Sequence, residues 1–309
     1  MSYWSPIESQ DTSLGFGAIA HPLPQGVRTT MTAQPPMPVR RIGSLQRPGC
    51  RLHYEVTGEG PAIVFAHGLG GNHLSWWQQV AHFAPRYTCV AFAHRGFAPS
   101  SALPAGPDPA DYTDDLAALI DHLGLAEVRV VAQSMGGWSA VEYALRRTGK
   151  LKALVLAATT GTIDPGRIRE PERSRLKEWA AAGERAQADF VRRGVHVAAG
   201  ARMAAEQPAL HLLYRHIDDM NAGLDKLALR QRLVAGRTRA PEELATAGCP
   251  VLLISGDEDI VMPPFAADAI AAAVPGARAV HIADAGHSAY FERAPLFNRH
   301  VTEFLERAG

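Results

Sequence analysis

The sequence predicts an α/β fold: a mostly parallel sheet flanked by helices, with a helical insertion late in the sheet. Three observations predict it. From residue 45 onward, short apolar runs alternate with segments of helical spacing. Several of those runs are apolar throughout, as strands buried on both faces are. One stretch, residues 159–240, breaks the alternation and contains no convincing strand.

The elements follow in order. Arg51 to Thr57 alternates, with Leu52, Tyr54 and Val56 on one side, as a half-buried strand does. Gly58 to Pro61 reads as a turn. Ala62 to Ala66 and Tyr87 to Ala93 are continuous apolar runs and predict central parallel strands. Tyr112 to Leu123 predicts a helix, because Leu116, Leu119, Ile120 and Leu123 fall on one face, and Gly124 stops it. Val128 to Ala132, Leu151 to Ala157, Cys249 to Ser255 and Arg278 to Ile282 complete the strands. Within 159–240 the composition is rich in Ala, Arg and Leu, and Leu210, Leu213, Tyr214 and Ile217 have amphipathic spacing. That stretch holds 15 basic and 10 acidic residues. The expected division is an α/β core over 45–158 and 241–309, with a helical subdomain over 159–240 covering one end of the sheet.

Residues 1–44 read as a flexible N-terminal extension. Pro35, Pro36 and Pro38 discourage both helix and central strand. Met31 is a candidate alternative translation start.

Composition excludes several classes. The 309 residues carry 31 Lys plus Arg against 31 Asp plus Glu, with 47% hydrophobic and 20% charged residues. Those proportions are globular, not disordered, and they lack the basic excess of a phosphate-backbone binder. No nucleic-acid partner is expected. Cys50, Cys89 and Cys249 are odd in number and have no C-x-x-C spacing, so neither a disulfide framework nor a zinc ribbon is predicted. Cys89 and Cys249 lie beside apolar runs and read as core thiols. No run approaches the roughly 20 apolar residues of a membrane span. Met1 to Gln10 lacks the basic start and apolar stretch of a signal peptide, so a cytoplasmic location is expected.

Four segments carry chemistry. In Val130–Gly137 a strand runs into Ala132-Gln133-Ser134-Met135-Gly136 and then a helix. A serine at such a turn projects its hydroxyl above the sheet, and small residues two before and two after it are needed by the tight backbone. Ala132 stands where glycine is usual. His67-Gly68-Leu69-Gly70-Gly71 follows the strand ending at Ala66, so that backbone N–H groups of Leu69 and Met135 can face an oxyanion. Ile254–Asp259 offers two carboxylates at a strand end, Asp257 and Asp259, either of which could orient a histidine. Ala285-Gly286-His287-Ser288 follows the last strand and supplies a general base. His211 and His216, five apart on a helix, do not share a face and read as packing or surface. Nucleophile, acid and base come in the order Ser, Asp, His, each after a strand. That is the α/β-hydrolase order, not that of chymotrypsin or subtilisin.

On these residues the sequence resembles the α/β-hydrolase superfamily, over about 45–158 and 245–308. The motifs are His67-Gly68, Trp76 or Trp77, Arg95-Gly96, the Gln133–Gly137 elbow, Gly256-x-x-Asp259, and Gly286-His287 followed by Glu292 and Pro295. The resemblance selects Asp259 over Asp257 as the triad acid and identifies 159–240 as a cap. Two departures are Ala93, where the family often has Asp, and Ala98-Pro99-Ser100, where it often has Gly-x-Ser. Relatives that open epoxides or remove halides use an aspartate nucleophile, which Ser134 argues against.

The resemblance implies a serine hydrolase of the carboxylesterase or lipase type. It would cleave a carboxylic ester, lactone or thioester of a small to medium apolar molecule through Ser134, Asp259 and His287. No cofactor and no metal are expected. Trp76, Trp77, Trp138, Trp179, Leu213 and Tyr214 are candidates for the substrate pocket. The alternatives on the same scaffold are carbon–carbon bond hydrolysis of ring-fission diketones, enol-lactone hydrolysis and acyl transfer. A non-catalytic binding or receptor protein is the remaining reading.

Overall fold

The computed structural model describes residues 38–309. Eight strands form one sheet: β1 (Arg40–Arg47), β2 (Cys50–Thr57), β3 (Ala62–Ala66), β4 (Thr88–Ala93), β5 (Val128–Gln133), β6 (Leu151–Ala157), β7 (Val251–Gly256) and β8 (Arg278–Ile282). Their order is β1-β2-β4-β3-β5-β6-β7-β8. β1 and β2 form an antiparallel hairpin, β2 meets β4 antiparallel, and every other pair is parallel. A parallel neighbour requires a crossover, and helices α1 (Trp77–Phe83), α2 (Asp111–His122), α3 (Gly136–Arg146), α8 (Phe265–Ala273) and α10 (Ala294–Ala308), the last preceded by the single turn α9 (Ala289–Glu292), line the two faces.

The central strands bury both faces, as their unbroken apolar runs require. Val64, Val130, Leu154 and Leu156 pack in one cluster with Leu116, Leu119, Ile120, Val141 and Ile270 from α2, α3 and α8. Their strand neighbours Ile63, Phe65, Val131 and Val155 pack in the other, with Phe83 and with Phe297, Val301 and Phe304 of α10. Fully burying a side chain of this size contributes about 1.5–3 kcal/mol, so the two layers fix the strand register and, with it, the loops at the strand ends.

The hairpin corrects one expectation. β1 takes in Arg40 to Ser44, which the sequence reading gave to the extension. An edge strand half open to solvent carries no apolar run to announce it. Residues 1–37, including Met31, lie outside the described residues. Cys50 and Cys89 are buried, whereas Cys249 is only half-buried.

Between β6 and β7 the chain makes four helices, α4 (Glu172–Arg192), α5 (Ala201–Glu206), α6 (Pro208–Asp219) and α7 (Lys226–Ala235). They are shallowly packed: α4 buries only Gly183. The two ends of this insert are tied together. Thr238 and Arg239 both donate their N–H to the Thr162 carbonyl at 3.0 Å, and Asp164 donates to the Arg239 carbonyl at 2.9 Å. The Arg239 guanidinium then reaches Glu142 on α3 with two bonds of 2.9 Å. On α6 the inward face is Leu210, Tyr214 and Ile217. Leu213, expected on that face, is 39% exposed.

Candidate active site

The ends of β3, β5, β7 and β8 bring the four motifs to one edge of the sheet. Ser134, directly after β5, sits at φ +48°, a backbone conformation that side chains with a Cβ seldom adopt. Its surroundings over-determine that strained turn. The Ser134 N–H bonds to the Ala157 carbonyl at 3.0 Å, and its own carbonyl accepts from Thr159 Oγ1 at 2.7 Å and from Gly137 N at 2.9 Å. A Cβ at Gly136 would lie 2.2 Å from the Ala66 carbonyl oxygen, so only glycine lets α3 leave the turn this close to β3.

His287 and Asp259 meet from the ends of β8 and β7, with His287 Nδ1 2.9 Å from Asp259 Oδ2. Both side chains are buried. The other carboxylate oxygen, Oδ1, accepts from Val261 N at 2.7 Å and Met262 N at 2.9 Å. A carboxylate so held faces Nδ1, which assigns the proton to that nitrogen and leaves Nε2 with a free lone pair. Asp257 points elsewhere, to His281 Nδ1 at 3.0 Å, and that histidine also meets Asp268. Of the two carboxylates left open by spacing, Asp259 is the one against His287.

Two further side chains hold this arrangement. Gln133 donates Nε2 to the His287 carbonyl at 3.1 Å, tying the serine turn to the histidine loop. Glu292 accepts from Gly286 N at 2.8 Å and Ser288 N at 3.0 Å, so its carboxylate brackets His287 on both sides. Burial raises the pKa of Glu292 to about 8, against the pull of those two N–H groups and with a further push from Asp259.

The glycine turn after β3 is also fixed. His67 is buried, with Nδ1 2.8 Å from the Gly68 carbonyl and Nε2 accepting from His94 N at 2.9 Å. Burial holds its pKa well below the ordinary histidine value, so the neutral ring acts as a donor at one nitrogen and an acceptor at the other. A Cβ at Gly68 would meet Gln133 Oε1 at 2.1 Å and Ser134 Cβ at 3.1 Å. The turn therefore lies directly against the serine. Among the described residues, Leu69 N and Met135 N donate no hydrogen bond within the protein.

Ser134, His287, Leu69 and Met135 line one cavity of about 220 Å3. Its walls are Trp138 and Thr159 from the sheet side, Val261 and Met262 from the loop after β7, and His196, Tyr214, Asp218, Lys226, Arg230, Leu233, Val234 and Arg237 from the insert. Of the expected pocket residues, Trp138 and Tyr214 line it. Trp138 Nε1 donates to the Leu233 carbonyl at 3.1 Å, and Tyr214 OH accepts from Ser288 Oγ at 2.9 Å. Trp76 does not line it: it is fully buried between Phe65 and Tyr290, a core residue. Leu213 is on the outer face of α6. Trp77 is 46% exposed, and Trp179 borders a separate depression with Phe265. His211 takes a structural bond, accepting from His196 N at 3.1 Å.

Sequence reasoning missed the polar groups of the insert. Nothing local marks which of its 15 basic residues turns inward. It also missed His53, Glu55 and His73, whose donor atoms lie within 4.8 Å of one another. There Glu55 is met by His73 Nε2 at 3.2 Å and by Arg40 Nε at 3.1 Å.

Comparison with known proteins agrees with this architecture. A family model described as the α/β hydrolase fold matches residues 61–294. The chain is 30% identical over 268 residues to a protein of Mycobacterium tuberculosis named as a candidate non-heme bromoperoxidase, covering 82% of this chain and 97% of that one. It is also 30% identical over 269 residues to the dihydrolipoyllysine-residue acetyltransferase component of an acetoin cleaving system of Cupriavidus necator, covering 83% and 67%. Among solved structures, the enol-lactonase of Burkholderia xenovorans LB400 superimposes with a TM-score of 0.66 at 26% identity, over 85% of this chain and all of that one (100%). No helix among the described residues is long and apolar enough to cross a membrane. From its sheet order, its strained serine turn and these matches, the chain belongs to the α/β-hydrolase fold family.

Proposed function

We propose that the chain is a serine hydrolase that cleaves a carboxylic ester, or a lactone or thioester, of a small to medium molecule, with Ser134, His287 and Asp259 as its triad. The observation that carries the reading is the His287–Asp259 bond of 2.9 Å on the same cavity as a serine held at φ +48°.

The reaction follows from that arrangement. His287 Nε2 takes the proton of Ser134 Oγ as the oxygen attacks the acyl carbon. Asp259 keeps the proton on Nδ1 and stabilises the imidazolium. The carbonyl oxygen, now negative, takes hydrogen bonds from Leu69 N–H and Met135 N–H. Losing one such donor costs about 3–4 kcal/mol in enzymes where this has been measured. The carbon–oxygen bond to the alcohol breaks, and the alkoxide leaves with the proton from Nε2. Water then gives its proton to Nε2 and attacks the acyl-enzyme. Ser134 Oγ departs with that proton, and the free acid remains.

Opening an enol-lactone uses the same bonds, and that is the activity named for the relative from Burkholderia xenovorans. The reading is tested with p-nitrophenyl esters from acetate to dodecanoate, wild type beside Ser134→Ala. Turnover abolished in the variant supports it, and the optimum chain length sizes the pocket. A folded wild type inert on every ester and on an enol-lactone overturns it in favour of carbon–carbon cleavage, acyl transfer or binding.

A further inference from the structure

The cavity is lined by a cation, Arg237, that makes no salt bridge among the described residues. The Arg237 guanidinium has five N–H donors, and among the described residues only the Met262 thioether accepts from it, at 3.3 Å from Nη2. Its Nε is buried without an acceptor. The guanidinium lies 5.1 Å from the centroid of the Trp138 ring, a contact that favours the cation but leaves the donor edges unused. Among the described residues no carboxylate lies within salt-bridge distance of it or of its neighbour Arg230, and Asp164 favours its charge only from farther off. The one acid on the insert's side of the cavity, Asp218, is already met by Lys226 at 2.6 Å and His196 at 3.3 Å. Burial and Arg230, opposed by Asp164, lower the Arg237 pKa to about 10, which still leaves a full charge at neutral pH.

Arg237 is half-buried, with its Nε removed from solvent and unpartnered, and a cation so placed in a cavity wall is a candidate to be completed by a ligand. The position suits a ligand bound at the serine. Trp138 lies four residues beyond Ser134, roughly one helical turn. Met262, whose thioether meets the guanidinium, donates its N–H to the triad acid Asp259. Arg237 therefore shares one small cavity, of about 220 Å3, with Ser134 and His287. A guanidinium fork matches a carboxylate with two parallel bonds.

We propose that Arg237 receives a second, free carboxylate carried on the acyl part of the substrate, a few carbons from the carbonyl that Ser134 attacks. The substrate class is then the half-ester or lactone of a short dicarboxylic acid. This rests on the serine hydrolase reading above, and the test separates the two.

The probes are mono-p-nitrophenyl adipate and p-nitrophenyl hexanoate, equal in acyl length and different in one carboxylate. Rates are corrected for spontaneous hydrolysis. The number read is the ratio of kcat/KM, adipate over hexanoate, in wild type, Arg237→Gln and Arg237→Lys. A charge-assisted pair of this kind corresponds to about 10- to 100-fold. The wild-type ratio is expected above ten, to fall by that factor in Arg237→Gln, and to recover in part in Arg237→Lys. Binding of adipate to Ser134→Ala, measured by calorimetry, is expected to weaken at least tenfold when Arg237→Gln is added. Hydrolysis of hexanoate at a ratio of one or less, unchanged by Arg237→Gln, overturns the carboxylate site and leaves the hydrolase reading intact. If wild type cleaves neither ester, yet adipate binds Ser134→Ala through Arg237, the site stands and the ester reading falls. If neither ester is cleaved and adipate binding ignores Arg237, both fall. A wild-type ratio below one is decisive even should both Arg237 variants fail to fold.

Discussion

The sheet and the helical insert solve opposite problems. At the sheet edge, the polar groups around the serine are tied by backbone bonds: Asp259 Oδ1 takes two N–H groups, Glu292 takes two, and the Ser134 carbonyl takes two donors. In the insert, long side chains reach inward from helices that bury few residues, and one cation is left with a single thioether. The difference teaches where precision is needed. Bond-making geometry has to hold within fractions of an ångström, and strand ends locked by two packed layers supply that. Holding a bound molecule, the role proposed for the insert, tolerates more play, and flexible stems on shallow helices are enough for it.

The largest expected effects break the sheet side. Ser134→Ala and His287→Ala should each lower kcat on any substrate by on the order of 10^4-fold or more, and Asp259→Asn by 10^3-fold or more, with the melting curve intact. If Asp257→Asn proved as damaging as Asp259→Asn, the assignment made from His287 Nδ1 would be wrong.

Next comes stability. Trp76→Ala empties a fully buried site between Phe65 and Tyr290 and should cost about 3–5 kcal/mol in urea unfolding. Trp138→Ala removes part of a cavity wall, so its unfolding cost should be smaller and its effect on KM larger. Equal stability losses would show that the cavity wall is as much core as the sheet layer.

A subtler effect concerns Glu292. Its folded pKa of about 8 lies above the ordinary 4.5, so between those values the folded chain keeps a proton that the unfolded chain has lost. Stability from this group is complete below about pH 4.5 and falls as pH rises toward 8, by up to about 1.4 kcal/mol per unit. The buried His67 and His94, whose folded pKa values are lowered, act in the opposite direction as the unfolded histidines lose their protons through pH 6.5. That background is shared with Glu292→Gln, so the quantity to read in thermal melts is the difference between the two proteins: from pH 6.5 to 8 wild type should lose stability relative to Glu292→Gln. A difference that does not change with pH would mean that the two N–H bonds, not burial, set the charge. The smallest effect belongs to Leu213→Ala on the outer face of α6, within about 0.5 kcal/mol and without change in KM.

Legibility followed the same division. β3 to β7 could be read from sequence because their apolar runs are buried on both faces, and β8 from its place at the end of the alternation; Ser134, Asp259 and His287 were legible as candidates because each follows its strand within a few positions. β1 was hidden, since Arg40, Arg41 and Arg47 at a sheet edge answer to solvent and present no apolar period. Trp76 and Leu213 were misplaced for different reasons. A tryptophan beside the glycine turn fits a pocket and a core equally well by composition. Leu213 lies one residue from Tyr214, about 100° around the helix, a phase that shallow packing leaves undetermined. Arg237 carried no local signal, because what distinguishes it is the lack of a salt-bridge partner in three dimensions.

The neck of the insert has a consequence for how such proteins diversify. Thr162 and Arg239 pin the segment's two ends together beside α3, so the sheet meets it as one closed loop. Lengthening a closed loop is inexpensive, about 0.6 kcal/mol for each doubling, and it leaves the strands on either side of the neck in place. Ancestry can therefore lengthen the segment between neck residues, or reshuffle its charges, with adjustment confined to the few side-chain bonds it makes to the core, such as Trp138 to the Leu233 carbonyl and Ser288 to Tyr214. Lineages that share the chemistry would then diverge first in what they recognise.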